Sequence, residues 1–146
     1  FIKMNEFEIL SYAQEFYQQN ATYTLAVFVL LAINFYLVRR SRELNAVTYK
    51  KGILSLFIVM SVYGGWQVAT FLRSMQHNAA FRLGELKASG VEVSMASEAQ
   101  IEFFGSPSAP FESGLPEVPQ MIFYFVILVM LLVSLWGKAS EGSYDK

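Results

Sequence analysis

The residues that most often carry out chemistry in proteins are scarce in this chain. It has no cysteine, which excludes disulfides, thiolate metal sites and cysteine nucleophiles. Its single histidine, His77, has the chemistry to ligate a metal, haem or pigment together with partner residues, or to titrate near neutral pH. A histidine at a membrane boundary is more often hydrogen-bonded to water or backbone. We therefore predict no metal site, no cofactor and no enzymatic activity.

The first and second apolar runs each contain one side-chain amide. Asn34 and Gln67 carry amides that need hydrogen-bond partners in hydrocarbon. Interhelical bonds of this kind average about 0.6 kcal/mol, so such residues orient helices more than they hold them together. The two are expected at different depths of antiparallel helices and are not expected to pair. A pore or substrate site lined by both is an alternative.

Small residues form a stripe in the second apolar run. Ser61, Gly65 and Ala69 are spaced by four residues, which places them on one face of a helix, with Gly64 beside them. Small residues on one face let another helix approach closely. The stripe predicts a helix–helix contact, either within the chain or with another subunit.

All of these candidates depend on three apolar runs, residues 21–38, 52–72 and 118–136. Each run lacks Asp, Glu, Lys, Arg and His, and each is close to the roughly 20 residues that cross a hydrocarbon layer as a helix. Runs this solidly apolar lack the alternation of barrel strands. We predict an all-α integral membrane protein, a single membrane domain with three transmembrane helices. The absence of ionisable groups from the runs argues against a proton pump or an ion-coupled carrier.

The charges between the runs predict an orientation. Residues 39–51 hold five Lys or Arg residues and one Glu, and short loops rich in Lys and Arg stay on the cytoplasmic side. Residues 73–117 hold three basic and six acidic residues. We therefore predict the N-terminus outside, a basic cytoplasmic loop, a long acidic extracytoplasmic loop and a cytoplasmic tail at residues 137–146. The predicted location is a bacterial inner membrane.

Further helices are predicted outside the runs. Residues 1–20 contain an amphipathic pattern with an acidic polar face, which predicts a helix that either lies on the outer leaflet or packs on a partner. The second span is predicted to continue as a helix to residue 89. Ser97 and Gln100 have the spacing of a capping box, which predicts that a short helix begins at Ser97.

Three phenylalanines stand out in the polar, proline-rich loop that follows. Phe103, Phe104 and Phe111 are large apolar side chains among serines, prolines and glutamates. They either dip into the membrane interface or form a contact surface for a partner. Since a loop of this length is longer than two helices require, we interpret these residues as candidates for partner docking.

The function that these observations favour is a structural one. We predict a non-catalytic accessory subunit of a larger membrane protein complex, docking through the small-residue stripe and the outer loop. Its partners are then other membrane subunits and the lipid bilayer. A net charge of −1 gives no support for nucleic acid. The alternative is a small homo-oligomeric pore or channel, similar to phage holins in topology only.

Overall fold

The computed structural model describes residues 4–104 and 114–137 of the chain. These residues form four helices and no strand: α1 Glu6–Glu43, α2 Thr48–Ala88, α3 Met95–Phe104 and α4 Val118–Trp136. Helices α1, α2 and α4 are long and apolar enough to cross a membrane. The prediction of an all-helical chain with three helices long and apolar enough to span a membrane is confirmed for the described residues, and each apolar run lies wholly within one helix.

Two of the helices are much longer than a membrane requires. Helix α1 has 38 residues and α2 has 41, which at about 1.5 Å per residue gives roughly 57 and 62 Å. A hydrocarbon layer is about 30 Å thick, so both helices extend far beyond it. The α1 start is fixed by a capping box, in which Asn5 Oδ1 accepts from the Glu8 backbone N–H and Glu8 Oε2 accepts from the Asn5 backbone N–H.

The connection between α1 and α2 is short, so the two helices run antiparallel. The helices continue through most of residues 39–51, and only residues 44–47 form the turn. Asn45 adopts a left-handed conformation there, with φ of 46°, which asparagine tolerates better than most residues. We call the end of the molecule that contains this turn the basic end.

The three spanning helices share one apolar core in two layers. Helix α4 packs against both α1 and α2. One layer contains Val27, Leu31, Val62 and Tyr124, and the other, nearer the basic end, contains Val38, Ile58, Leu131 and Leu135. Each layer takes residues from all three helices, which is what holds the antiparallel pair and α4 together.

A third apolar cluster lies at the opposite end, outside the apolar runs. Ile9 of α1 packs with Leu83 and Leu86 of α2, and Met4, Val93 and Ile101 surround them. The amphipathic segment at the start of the chain therefore packs on α2 and α3 of its own chain. We call this end the lobe, defined as residues 4–20 and 73–104.

Candidate docking site

The small-residue stripe lies inside the three-helix bundle. A methyl group built on Gly65 would lie 2.7 Å from Cζ of Tyr124 and 2.8 Å from Cγ1 of Val27, closer than carbon atoms can approach. Ser61 is buried and donates its hydroxyl to the Phe57 carbonyl. Ala69 packs against the same apolar layer. These contacts lie within the chain, so the stripe positions α4 and α1 against α2.

The two intramembrane amides differ in their surroundings. Asn34 is fully buried, its Nδ2 donates to the Leu30 carbonyl at 3.0 Å, and its Oδ1 has no partner among the described residues. Gln67 is exposed and donates to the Tyr63 hydroxyl within α2. Gln67 lines a groove near Asn20, which precedes Asn34 by fourteen residues on α1. The structure therefore does not bring Asn34 and Gln67 together.

A buried asparagine that the sequence did not single out joins the two long helices. Asn20, at the edge of the first apolar run, is only 3% exposed, and its Nδ2 donates to the Val68 carbonyl of α2 at 2.8 Å. An open groove of about 630 Å³ lies beside it, between Phe16, Tyr23, Gln67 and Phe71. The only sequence signal for this role is a polar residue at a span boundary.

Arg73 and His77, on consecutive turns of α2, fix both ends of the segment that precedes α4. The Arg73 guanidinium donates to the carbonyls of Leu115 and Pro116, and its Nε lies 2.8 Å from Glu117 Oε1. The His77 imidazole is hydrogen-bonded to the Phe104 backbone and packs edge-on against the Phe104 ring, with centroids 5.4 Å apart. Since residues 105–113 lie between these two attachment points, α2 sets where that segment leaves and rejoins the described structure.

The local electrostatics of His77 favour its neutral form. Partial burial, with the nearby Arg73 charge as a second cause, lowers the pKa of His77 from its ordinary value, while Glu117 and the Phe104 backbone oppose the shift. A neutral imidazole is compatible with the hydrogen bond to the Phe104 backbone. His77 therefore has a structural role in the lobe in this arrangement.

Glu6 attaches the beginning of α1 to the beginning of α3. Its carboxylate accepts from the Ser94 backbone N–H at 3.0 Å, from the Ser94 hydroxyl, and from the Ser97 hydroxyl at 2.6 Å. These hydrogen bonds, that from the Ser94 side chain first, lower the pKa of Glu6 from its ordinary value. A carboxylate at a helix N-terminus is also stabilised by the helix dipole.

This attachment corrects the predicted start of α3. The helix begins at Met95, and the Ser94 hydroxyl accepts from the Ser97 backbone N–H, so Ser94 occupies the capping position. Ser97 does not open a capping box with Gln100. In a local capping box a glutamate three residues later binds the cap N–H, whereas here Glu6, 88 residues away, takes that place.

The phenylalanines predicted to dock a partner have different environments. Phe103 is 82% exposed, Phe104 is partly buried against His77, and Phe111 lies outside the described residues. The sequence analysis missed two more apolar side chains that face solvent on the lobe. Phe7 is 77% and Met95 is 85% exposed, and each directly follows a residue of the Glu6–Ser94 contact.

Comparison with known proteins adds no function to this arrangement. Protein-family models, curated proteins and solved structures give no match to the chain. Within residues 4–104 and 114–137, no three His, Asp or Glu side chains are grouped so as to hold a metal ion. The described part of the chain forms a packed lobe, and Phe7 and Met95 are exposed on it beside the Glu6–Ser94 contact.

Proposed function

We propose that this chain is a non-catalytic accessory subunit of a larger membrane protein complex, and that it docks through its lobe. The observation that carries the proposal is the exposure of Phe7 and Met95. From residue 21 back to Glu6, α1 rises roughly 22 Å beyond the first apolar run, at about 1.5 Å per residue. Side chains that far from the hydrocarbon are not explained by contact with lipid.

Phe103 lies at a different distance from the membrane than Phe7 and Met95. Helix α3 runs from the Glu6 contact back towards His77, five residues past the second apolar run. Phe103 therefore lies nearer the membrane than Met95, and it is also exposed. We call Phe7, Met95 and Phe103 together the docking face, and propose that an apolar surface of another subunit covers it.

The small-residue stripe no longer belongs to the docking proposal. Gly65 and Ser61 are occupied by contacts inside the bundle, so a second subunit cannot use them without displacing α4 or α1. Docking through the outer loop remains part of the proposal, including Phe111. The hydrogen bonds between Glu6 and the start of α3 support docking through this loop. A helix that is already fixed in place loses less conformational entropy when its exposed side chains bind a partner.

The experiment is to replace Phe7, Met95 and Phe103 by serine together and purify the tagged chain from its native membrane in mild detergent. Membrane insertion should persist, because it depends on the three apolar runs, whereas subunits that co-purify with the wild type should be lost. Val47→Ser removes an exposed apolar side chain at the opposite, basic end of the molecule and should retain them. Equal retention by all three proteins contradicts the proposal. Leakage of solutes from vesicles that contain only this chain would favour a pore instead.

The orientation is also a proposal: the lobe outside and the basic end in the cytoplasm of a bacterial inner membrane. It rests on the excess of Lys and Arg in residues 39–51. Ser89 and Asn45 are both exposed and lie at opposite ends of α2. In intact cells or right-side-out vesicles, an impermeant maleimide should label Ser89→Cys and spare Asn45→Cys. The reverse pattern would invert the topology.

A further inference from the structure

An open groove lies at the basic end, where α1 ends and α2 begins. Its volume is about 410 Å³. Arg40 of α1 and Lys50 of α2 stand at its rim, and Leu37, Ile53 and Phe57 line its wall. The wall residues belong to or adjoin the apolar runs, and the rim residues lie just beyond them, so the groove crosses the boundary between hydrocarbon and water.

The groove lies on a side of the α1–α2 pair that α4 does not cover. Helix α4 ends on another side of α2, where the Trp136 indole N–H donates to the Ser55 hydroxyl at 2.9 Å and Lys51 Nζ lies 5.9 Å from the Trp136 ring centroid. Ile53 is 66% exposed at the groove wall. Lys51 is thus directed towards α4, while its neighbour Lys50 is directed towards the groove.

Among the residues that the structure describes, the positive charge at the rim is incompletely neutralised. The Glu43 carboxylate is shared by Arg39 at 2.9 Å and Arg40 at 3.3 Å, and all three side chains are exposed. Lys50 forms no ion pair with any residue of the described ranges. A single shared carboxylate leaves net positive charge between Arg40 and Lys50.

We propose that this groove binds an anionic phospholipid. Its phosphate lies between Arg40 and Lys50, and one acyl chain follows Leu37, Ile53 and Phe57. The division of the groove into a cationic rim and an apolar wall at the membrane boundary matches the division of a phospholipid into headgroup and chain. The occupant is a lipid and not free phosphate. The apolar wall can stabilise a bound acyl chain, but it offers nothing to an inorganic phosphate ion.

The test compares two double variants that lose the same charge from the same segment. Arg40→Gln with Lys50→Gln removes the rim, and Arg39→Gln with Arg42→Gln removes two charges that do not line the groove. Each purified protein is incubated with equal amounts of phosphatidylglycerol and phosphatidylcholine, and the bound lipid is counted by native mass spectrometry. The wild type should prefer phosphatidylglycerol. A basic residue near an anionic surface contributes about fivefold in affinity, so the rim variant should lose roughly twentyfold to thirtyfold.

The outcomes separate a built site from general attraction. The control variant should keep most of the preference, and the charge-conserving pair Arg40→Lys with Lys50→Arg should keep it too, which guards against misfolding as the cause of a loss. Equal losses in both neutralised variants, or no preference in the wild type, would overturn the proposal. Inorganic phosphate should not displace the lipid; displacement at millimolar concentration would show that the headgroup phosphate alone is bound and would also overturn it.

Discussion

The two ends of this molecule are built from the same two helices, yet they treat charge in opposite ways. At the lobe, Glu6 and Arg73 each bind groups that are distant in sequence, and their bonds hold α3 and the start of α4 in place. At the basic end, Arg39 and Arg40 both pair with Glu43 in the next turn of the same helix, and with no other carboxylate of residues 4–104 and 114–137. Charged side chains therefore fix the tertiary structure at the lobe, whereas at the basic end they stay exposed and can bind groups outside the chain.

The difference follows from where the helices end. At the basic end α1 and α2 are joined by residues 44–47, so the covalent turn holds them together without side-chain bonds. At the lobe no turn joins α1 to α2, and α3 folds back on α2 after the short connection of residues 89–94. Apolar packing of Ile9, Leu83 and Leu86 and hydrogen bonds to Glu6 replace the turn.

The most damaging change should be one in the bundle that both ends share. Gly65→Leu forces a side chain into the space of Tyr124 and Val27, and overpacking of this kind costs about 3 kcal/mol or more at so tight a contact. We expect low yield and a large drop in thermal stability in detergent. Gly64→Leu is the matched control, because a Cβ atom at that position meets no atom within 4 Å. If the two variants melted alike, α4 would not pack against Gly65.

Replacing an arginine by glutamine should cost more stability at the lobe than at the basic end. Arg73→Gln removes a charged donor from the Leu115 and Pro116 carbonyls and leaves Glu117 without its ion pair, which we expect to cost about 1–2 kcal/mol. Arg39→Gln breaks an exposed pair within one helix and should stay within about 0.5 kcal/mol.

Limited proteolysis at residues 105–113 tests the effect of Arg73→Gln close to the altered contact. Because Arg73 fixes the chain that re-enters at residues 115–117, cleavage in that segment should accelerate in Arg73→Gln and be unchanged in Arg39→Gln. Comparable cleavage of the two variants would mean that Arg73 does not hold residues 115–117 in place.

Acid should destabilise the lobe by less than the substitutions of Gly65 and Arg73 do. The turn at residues 44–47 should keep its structure. The pKa of His77 is lowered, so its contribution to stability is complete above its ordinary value near 6.5 and is lost as pH falls below that. The pKa of Glu6 is lowered from 4.5, so its contribution is complete above pH 4.5 and is lost below it. The loss of protection should therefore begin below pH 6.5 and increase below pH 4.5.

Hydrogen exchange at the start of α3 measures this loss. Protection of the Ser94 and Ser97 amides should fall between pH 7 and pH 4, after correction for the intrinsic exchange rate, while amides of residues 44–47 change little. Glu6→Gln should abolish the step below pH 4.5 and keep the one that begins near pH 6.5. Uniform loss along α1 and α2 would instead indicate global unfolding.

The three long apolar helices were predictable from the order of the residues. Residues 21–38, 52–72 and 118–136 are mostly apolar and carry no ionisable Asp, Glu, Lys, Arg or His side chain, and a backbone in hydrocarbon must satisfy its own hydrogen bonds, so a helix is the local solution. The continuation of α2 towards residue 89 and the helical nature of residues 5–19 were also predictable, because periodicity within a single helix is a local property.

Tertiary structure alone decided what those helices contact. The stripe of Ser61, Gly65 and Ala69 predicted a close approach but did not identify Tyr124 and Val27 as the neighbours. The start of α3 was misplaced at Ser97, because the residue that completes its cap is Glu6, 88 positions earlier. The physical reason is that such bonds depend on how whole helices are placed in space, and the local pattern of side chains along each helix does not specify that placement.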